Sequence, residues 1–205
     1  MAKTIIEEFN SMTLTNVGIQ FIEGGVQQPG TKFGCVGTMD GETEMLEIVK
    51  KCEGFEVKKI SRPSKMNMTL SAHIRVEVLR KVFGLKTEGF KPGVWSYGTK
   101  SKGKPFVFTA DVVDEFEDLQ KYVAFSNCSS TTGFKFKVEN GADEVAETEF
   151  EFTAMKDANG EFYYEALAAE LEDQAVKEKW HTQFTPELVK ATPVTPTPPT
   201  QKPKE

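Results

Sequence analysis

The sequence predicts a mainly β fold, a sandwich or barrel-like sheet with one or two helices at its flank. Period-two alternation is the first reason. Within Phe134 to Leu167, Phe134, Phe136 and Val138 alternate with Lys135, Lys137 and Glu139, and Ala146, Thr148, Phe150, Phe152 and Ala154 alternate with Val145, Glu147, Glu149, Glu151 and Thr153. That is the pattern of a sheet with one buried face. The second reason is turn chemistry. Asn140-Gly141 and Asn159-Gly160 interrupt the alternation where tight hairpins need positive φ, so the stretch reads as a three-stranded meander returning through Phe162, Tyr164 and Ala166. The third is composition: 16 Phe among 205 residues, with 39% hydrophobic content, supply one substantial core, and aromatic strands with frequent Gly suit a sandwich or barrel better than a helical bundle.

In chain order, Val17, Ile19 and Phe21 form a strand that runs into a loop at Gly24-Gly25 and Pro29-Gly30. Cys35 to Thr38 and Leu46 to Cys52 are two strands joined near Asp40-Gly41, a further hairpin signal. Phe55 to Arg62 follows Gly54. Pro63 then breaks the ladder, and Lys65 to His73 resumes it with Met66, Met68, Leu70 and Ala72 on one side and Asn67, Thr69 and Ser71 on the other. The period changes at Ile74 to Phe83, where Val76, Leu79 and Phe83 fall at helical spacing and Gly84 stands where a left-handed cap belongs. Thr87 to Lys104, rich in Gly and Pro, is a long loop, and loops of that length inside a compact domain usually carry function or disorder. Phe106 to Val113 is a strand, Asp114 to Leu119 an acidic turn and Tyr122 to Asn127 another strand. Ala168 to Trp180 is compatible with a helix that packs through Leu171, Val176 and Trp180, without a strong cap. From Ala191 the composition collapses to Thr, Pro and Lys, which favours extended polyproline geometry and cannot build a core. The organisation is therefore one β domain over 1–190 and a tail or linker over 191–205.

Charge and cysteine usage exclude several classes. A net charge of −6 argues against a phosphate-binding surface spread over the whole molecule. Cys35, Cys52 and Cys128 are widely spaced, which suggests neither a disulfide framework nor a zinc site. Met1 to Asn10 lacks the apolar run of a signal peptide, and no segment approaches a membrane span.

The chemistry-bearing residues favour structural readings. His73 and His181 are surface or packing residues, and a Cys128–His73 nucleophilic pair has no supporting motif. Glu147, Glu149 and Glu151 share a strand face about 7 Å apart, a spacing compatible with a glycosidase pair, but nothing marks the desolvated setting that its acid requires. Lys100, Lys102 and Lys104 read as a solvated loop. No phosphate-binding, dinucleotide or calcium motif occurs, so no catalytic residue, cofactor or metal is assigned.

A string of collinear segments resembles the major tail tube protein of siphovirus-type phages of Gram-positive bacteria. These are Phe33-Gly34-Cys35-Val36-Gly37, Ser71-Ala72-His73, Val82-Phe83-Gly84-Leu85, Phe106-Val107-Phe108-Thr109-Ala110-Asp111, Phe125 to Gly133, Glu139 to Ala146, Gly160 to Ala166 and Phe184-Thr185-Pro186-Glu187-Leu188-Val189. The likeness spans roughly 33–190. It implies a virion tail protein, made in the host cytoplasm and not an enzyme, whose copies close into hexameric rings that stack into a hollow tube. The same resemblance implies a tape measure protein inside the tube, terminator and distal tail proteins at its ends, DNA passing without specific binding, and no membrane partner. The Thr/Pro tail suits forms that carry an added immunoglobulin-like domain. On charge grounds the polar faces of the strands from Leu46 to His73 would line the bore, with the Glu147, Glu149, Glu151 row as second choice. The competing reading is a monomeric β-sandwich module that binds carbohydrate or protein through Trp95, Tyr97 and Tyr163.

Overall fold

A computed structural model describes residues 6–136, 138 and 145–191. Nine strands form one antiparallel sheet: β1 (Ser11–Glu23), β2 (Val26–Gln27), β3 (Thr31–Lys32), β4 (Gly34–Cys52), β5 (Phe55–Ile74), β6 (Phe106–Asp114), β7 (Gln120–Ser130), β8 (Thr148–Ala154) and β9 (Tyr163–Leu167). The lateral order is β2-β1-β6-β7-β8-β5-β4, with β3 also on β1 and β9 also on β7. Two helices, α1 (Val76–Phe83) and α2 (Gln174–Lys179), complete the described residues. The mainly β expectation holds.

The sheet curls around a Phe-rich core. Phe33 joins its two margins, donating its N–H to the Val17 carbonyl at 3.0 Å while its own carbonyl accepts from Arg75 at 3.0 Å. Phe33, Phe106, Phe108, Phe150 and Phe152 are fully buried, with ring centroids 5.5 Å apart for Phe33–Phe108 and 5.2 Å for Phe108–Phe152. Each such ring stabilises the fold by about 1.5–3 kcal/mol relative to exposure. Helix α1 buries Val78, Val82 and Phe83 against this core and ends at Gly84 in the left-handed region, φ 66°, as the sequence predicts. It is two residues shorter than Ile74 to Phe83, because Ile74 still pairs with Gly34 at the end of β5.

Several expectations are corrected. Asp40-Gly41 is no turn: β4 runs straight through it, pairing Asp40 with Thr69 and Gly41 with Met68. The turn lies at Glu53-Gly54, where φ is 51° and 88°, a pair of positive angles suited to a two-residue hairpin loop. Pro63 does not divide β5; it sits opposite Met45 beside a register shift, so the ladder absorbs its missing N–H in a bulge. Among the described residues the meander does not form. Phe134 and Phe136 lie outside any strand, β8 starts only at Thr148, and β8 and β9 do not pair with each other; both lie along β7, against Cys128–Ser130 and Lys121–Phe125 respectively. Asn140-Gly141 and the segment 192–205 lie outside the described residues. The C-terminal helix shrinks from Ala168–Trp180 to six residues, and it has the cap that sequence reading missed: Asp173 accepts from the N–H groups of Ala175 and Val176.

Candidate assembly surfaces

The hairpin of β4 and β5 outruns the sheet. β8 supports β5 only from Met66 to Ala72, and from Gly41 to Ser64 every residue except Val49 is exposed. This arm has no buried face. One side aligns Leu46, Ile48 and Lys50 with Arg62, Ile60 and Lys58; the other aligns Met45, Glu47 and Val49 with Pro63, Ser61 and Lys59. Phe55 at the tip is 77% exposed, and Leu46, Ile48 and Val57 are more than half exposed. A two-stranded ribbon is marginal in water by itself, and an apolar ribbon with open edges is a template for further strand pairing. The Glu47–Lys59 ion pair, 2.7 Å, is half-exposed at both ends and adds little.

Nearer the body, the Asn67–Ser71 part of the first sequence-predicted bore lining and the Glu149–Glu151 part of the second fall on one surface, while Leu46 to Ser64 belong to the arm. Registers place Thr38, Ser71 and Glu149 in one row, Asp40, Thr69 and Glu151 in the next, and Glu42, Asn67 and Thr153 in a third. These residues face away from Met68, Leu70, Phe150 and Phe152, which point into the core. The polar face of β5 and the Glu row are therefore neighbours across a single three-stranded surface. Lys135 bridges Glu149 at 3.1 Å and Glu151 at 2.8 Å, and its bond to Glu151, then that to Glu149, holds its ammonium above the usual lysine range. Asp40 and Glu42 remain exposed with no ion pair among the described residues. Glu147 precedes β8 and its carboxylate lies over Gly37, where any Cβ would collide with it.

The sequence matches no protein-family model and no curated protein. Two solved structures share part of its outline. One is a chain of the anti-feeding prophage cap (AFP tube terminating cap), 12% identical, TM-score 0.41, covering 80% of this chain and 96% of that one. The other belongs to the anti-feeding prophage baseplate, 9% identical, TM-score 0.38, covering 81% and 97%. Likeness at this level carries no argument about function.

The remaining chemistry-bearing residues are dispersed. Cys128 is buried in the core, and burial pushes its thiol well above its ordinary pKa; His73 is exposed at the end of β5, opposite Cys35. Trp95 lies under the Arg80 guanidinium at 4.3 Å, Tyr97 packs on Phe134 and Tyr163 on Phe125, so each ring of the expected aromatic platform already has its own partner. Sequence reading missed a polar layer on the far side of β1 and β6. His181 bonds to Asp111 Oδ1 through Nε2 at 2.6 Å and to Thr109 Oγ1 through Nδ1 at 3.1 Å. Gln20 donates to the Trp180 carbonyl and accepts from the Phe184 N–H. Thr109 and Gln20 are wholly buried, so this cluster fastens the C-terminal segment and presents no hydroxyl to a substrate.

Proposed function

We propose that the protein is a structural subunit of a phage-type tail tube, whose copies associate edge to edge into six-membered rings that stack around a hollow bore. One observation carries this reading: the arm from Gly41 to Ser64 exposes apolar side chains on both faces and, among the described residues, its two strands pair only with each other. Such a ribbon is marginal by itself and gains stability when another strand pairs with its edge or covers its face. A head-to-tail contact between identical copies whose rotation closes gives a ring, not an open fibre. The resemblance of the collinear segments from Phe33 to Val189 supplies the tube and its sixfold count, and with them the virion location, the tape measure protein inside and terminator and distal proteins at the ends. The acidic surface around Asp40, Glu42 and Glu149 faces the bore, where it repels phosphates and lets DNA slide without being trapped.

Electron microscopy and light scattering of the purified chain over a concentration series test the reading. Rings and tubes that grow with concentration are expected. A monodisperse monomer at millimolar concentration overturns it.

A further inference from the structure

We infer that copies meet head to tail through two oppositely charged ends, the acidic β6–β7 turn of one seating in the basic loop of the next. The inference rests on the tube reading and adds the surfaces through which rings stack. Residues 114–118 read Asp-Glu-Phe-Glu-Asp without a cation, and Glu8 and Asn10 flank the turn, Asn10 donating to Glu115 at 2.9 Å. Residues 75–105, covering α1 and the long loop, carry eight cations against two carboxylates. These regions sit at opposite ends of β6, because the loop enters the strand at Phe106 and the turn leaves it at Asp114. At about 3.3 Å per residue they are ~26 Å apart.

Each end is shaped as well as charged. Asp114 is buried and accepts from the Asp118 and Leu119 N–H groups at 2.9 and 3.1 Å, which fixes the turn and holds Phe116 outward, 75% exposed, among Glu115, Glu117 and Asp118. At the other end an open cavity of about 360 Å³ is lined by Lys86, Phe90, Ser96, Thr99 and Lys100 together with Glu88. Its rim is braced by the paired backbone bonds of Lys86 and Ser96, 3.0 and 2.8 Å, and by Arg80 over Trp95. Phe90 is 54% exposed there. A protruding aromatic ringed by carboxylates fits a hollow that offers Phe90 as its one aromatic contact between Lys86 and Lys100, and the complement of each surface is present on the same chain. That commits the occupant to a second copy: electrostatic complementarity sets the register and polarity of such a contact, and aromatic anchors in pockets carry most of its strength.

Charge exchange in the full-length protein is the test. E115K/D118K and K86E/K100E, each alone, are expected to form rings yet shorten tubes at least tenfold, since like charges then face one another. Mixing the two variants restores wild-type length, because the basic turn of one meets the acidic hollow of the other. Either variant forming full-length tubes alone, or a mixture of intact rings that fails to stack, overturns the inference. Wild-type rings that never stack also remove it while leaving the ring reading in place. Linear chains without rings support it and remove the ring reading, and a permanent monomer removes both.

Discussion

Asp157 holds the crossing from β8 to β9, which sequence reading assigned to a simple hairpin at Asn159-Gly160. Its carboxylate accepts from the N–H groups of Asn159 and Glu161 through Oδ1, and from Ser126 and the Tyr164 hydroxyl through Oδ2, the last at 2.6 Å. Burial alone would raise its pKa; the bonds from Tyr164, the two backbone N–H groups and Ser126 outweigh that and leave it below the ordinary carboxylate value. Tyr164 is pushed up to about 12, by burial first and then by its bond to Asp157. A depressed carboxylate stabilises the fold above its unfolded pKa and ceases to do so as pH falls through the folded value, here below about 4. A raised phenol stabilises the fold below its unfolded pKa near 10 and ceases to do so as pH climbs towards 12. Tyr164→Phe removes one charge-assisted bond, so a loss of about 1–2 kcal/mol at neutral pH is expected. Denaturant titrations from pH 3 to 11.5 should also show a shallower alkaline decline in the variant; an unchanged alkaline limb would refute the role of this bond. The Asn-Gly pair was legible as a turn, but its partners were not, because Ser126 and Tyr164 converge on Asp157 only after β7 and β9 have paired.

Strand character was legible in β1, β5, β6 and β7, while strand length and pairing were not. The alternation of Met66, Met68, Leu70 and Ala72 gives the inward face of β5 correctly. Beyond Met66 the same strand continues without a body to cover it, and the mixed pattern from Leu46 to Arg62 is what a ribbon exposed on both faces looks like. The polar residues Gln20, Thr109 and Asp111 are buried because the C-terminal segment covers them; a backbone approach at Gly30, whose N–H donates to the Thr182 carbonyl at 2.8 Å and where a Cβ would overlap the His181 carbonyl, lets that segment lie flat. Because Thr43 and Met66 face each other, replacing Glu44–Lys65 with Asn-Gly gives a short hairpin that keeps the core. The shortened protein should unfold within a few degrees of the parent, since the excised residues bury little, and should no longer form rings. Assembly of the shortened chain, followed by sedimentation velocity, would show that the arm is dispensable.

Across the whole molecule, charge is sorted by surface, which a net −6 conceals. The arm mixes signs, the α1 end is basic, the β6–β7 end is acidic, and the β4–β5–β8 face is acidic beside them. If that face lines the bore, then Asp40→Lys with Glu42→Lys changes local charge by two at each of two sites, repeated in every copy around a ring. Among the described residues neither side chain is in an ion pair, and both are exposed, so tubes should still form. Their bore would change from repelling phosphates to releasing counterions from them, and affinity for duplex DNA should rise steeply at low salt and fall linearly in a log–log plot as salt is added. Short duplexes included during assembly should become protected from nuclease in the variant tubes and stay digestible with wild-type tubes. Duplex captured yet fully digestible would put Asp40 and Glu42 on the outer wall, and the bore would then have to be lined by another surface.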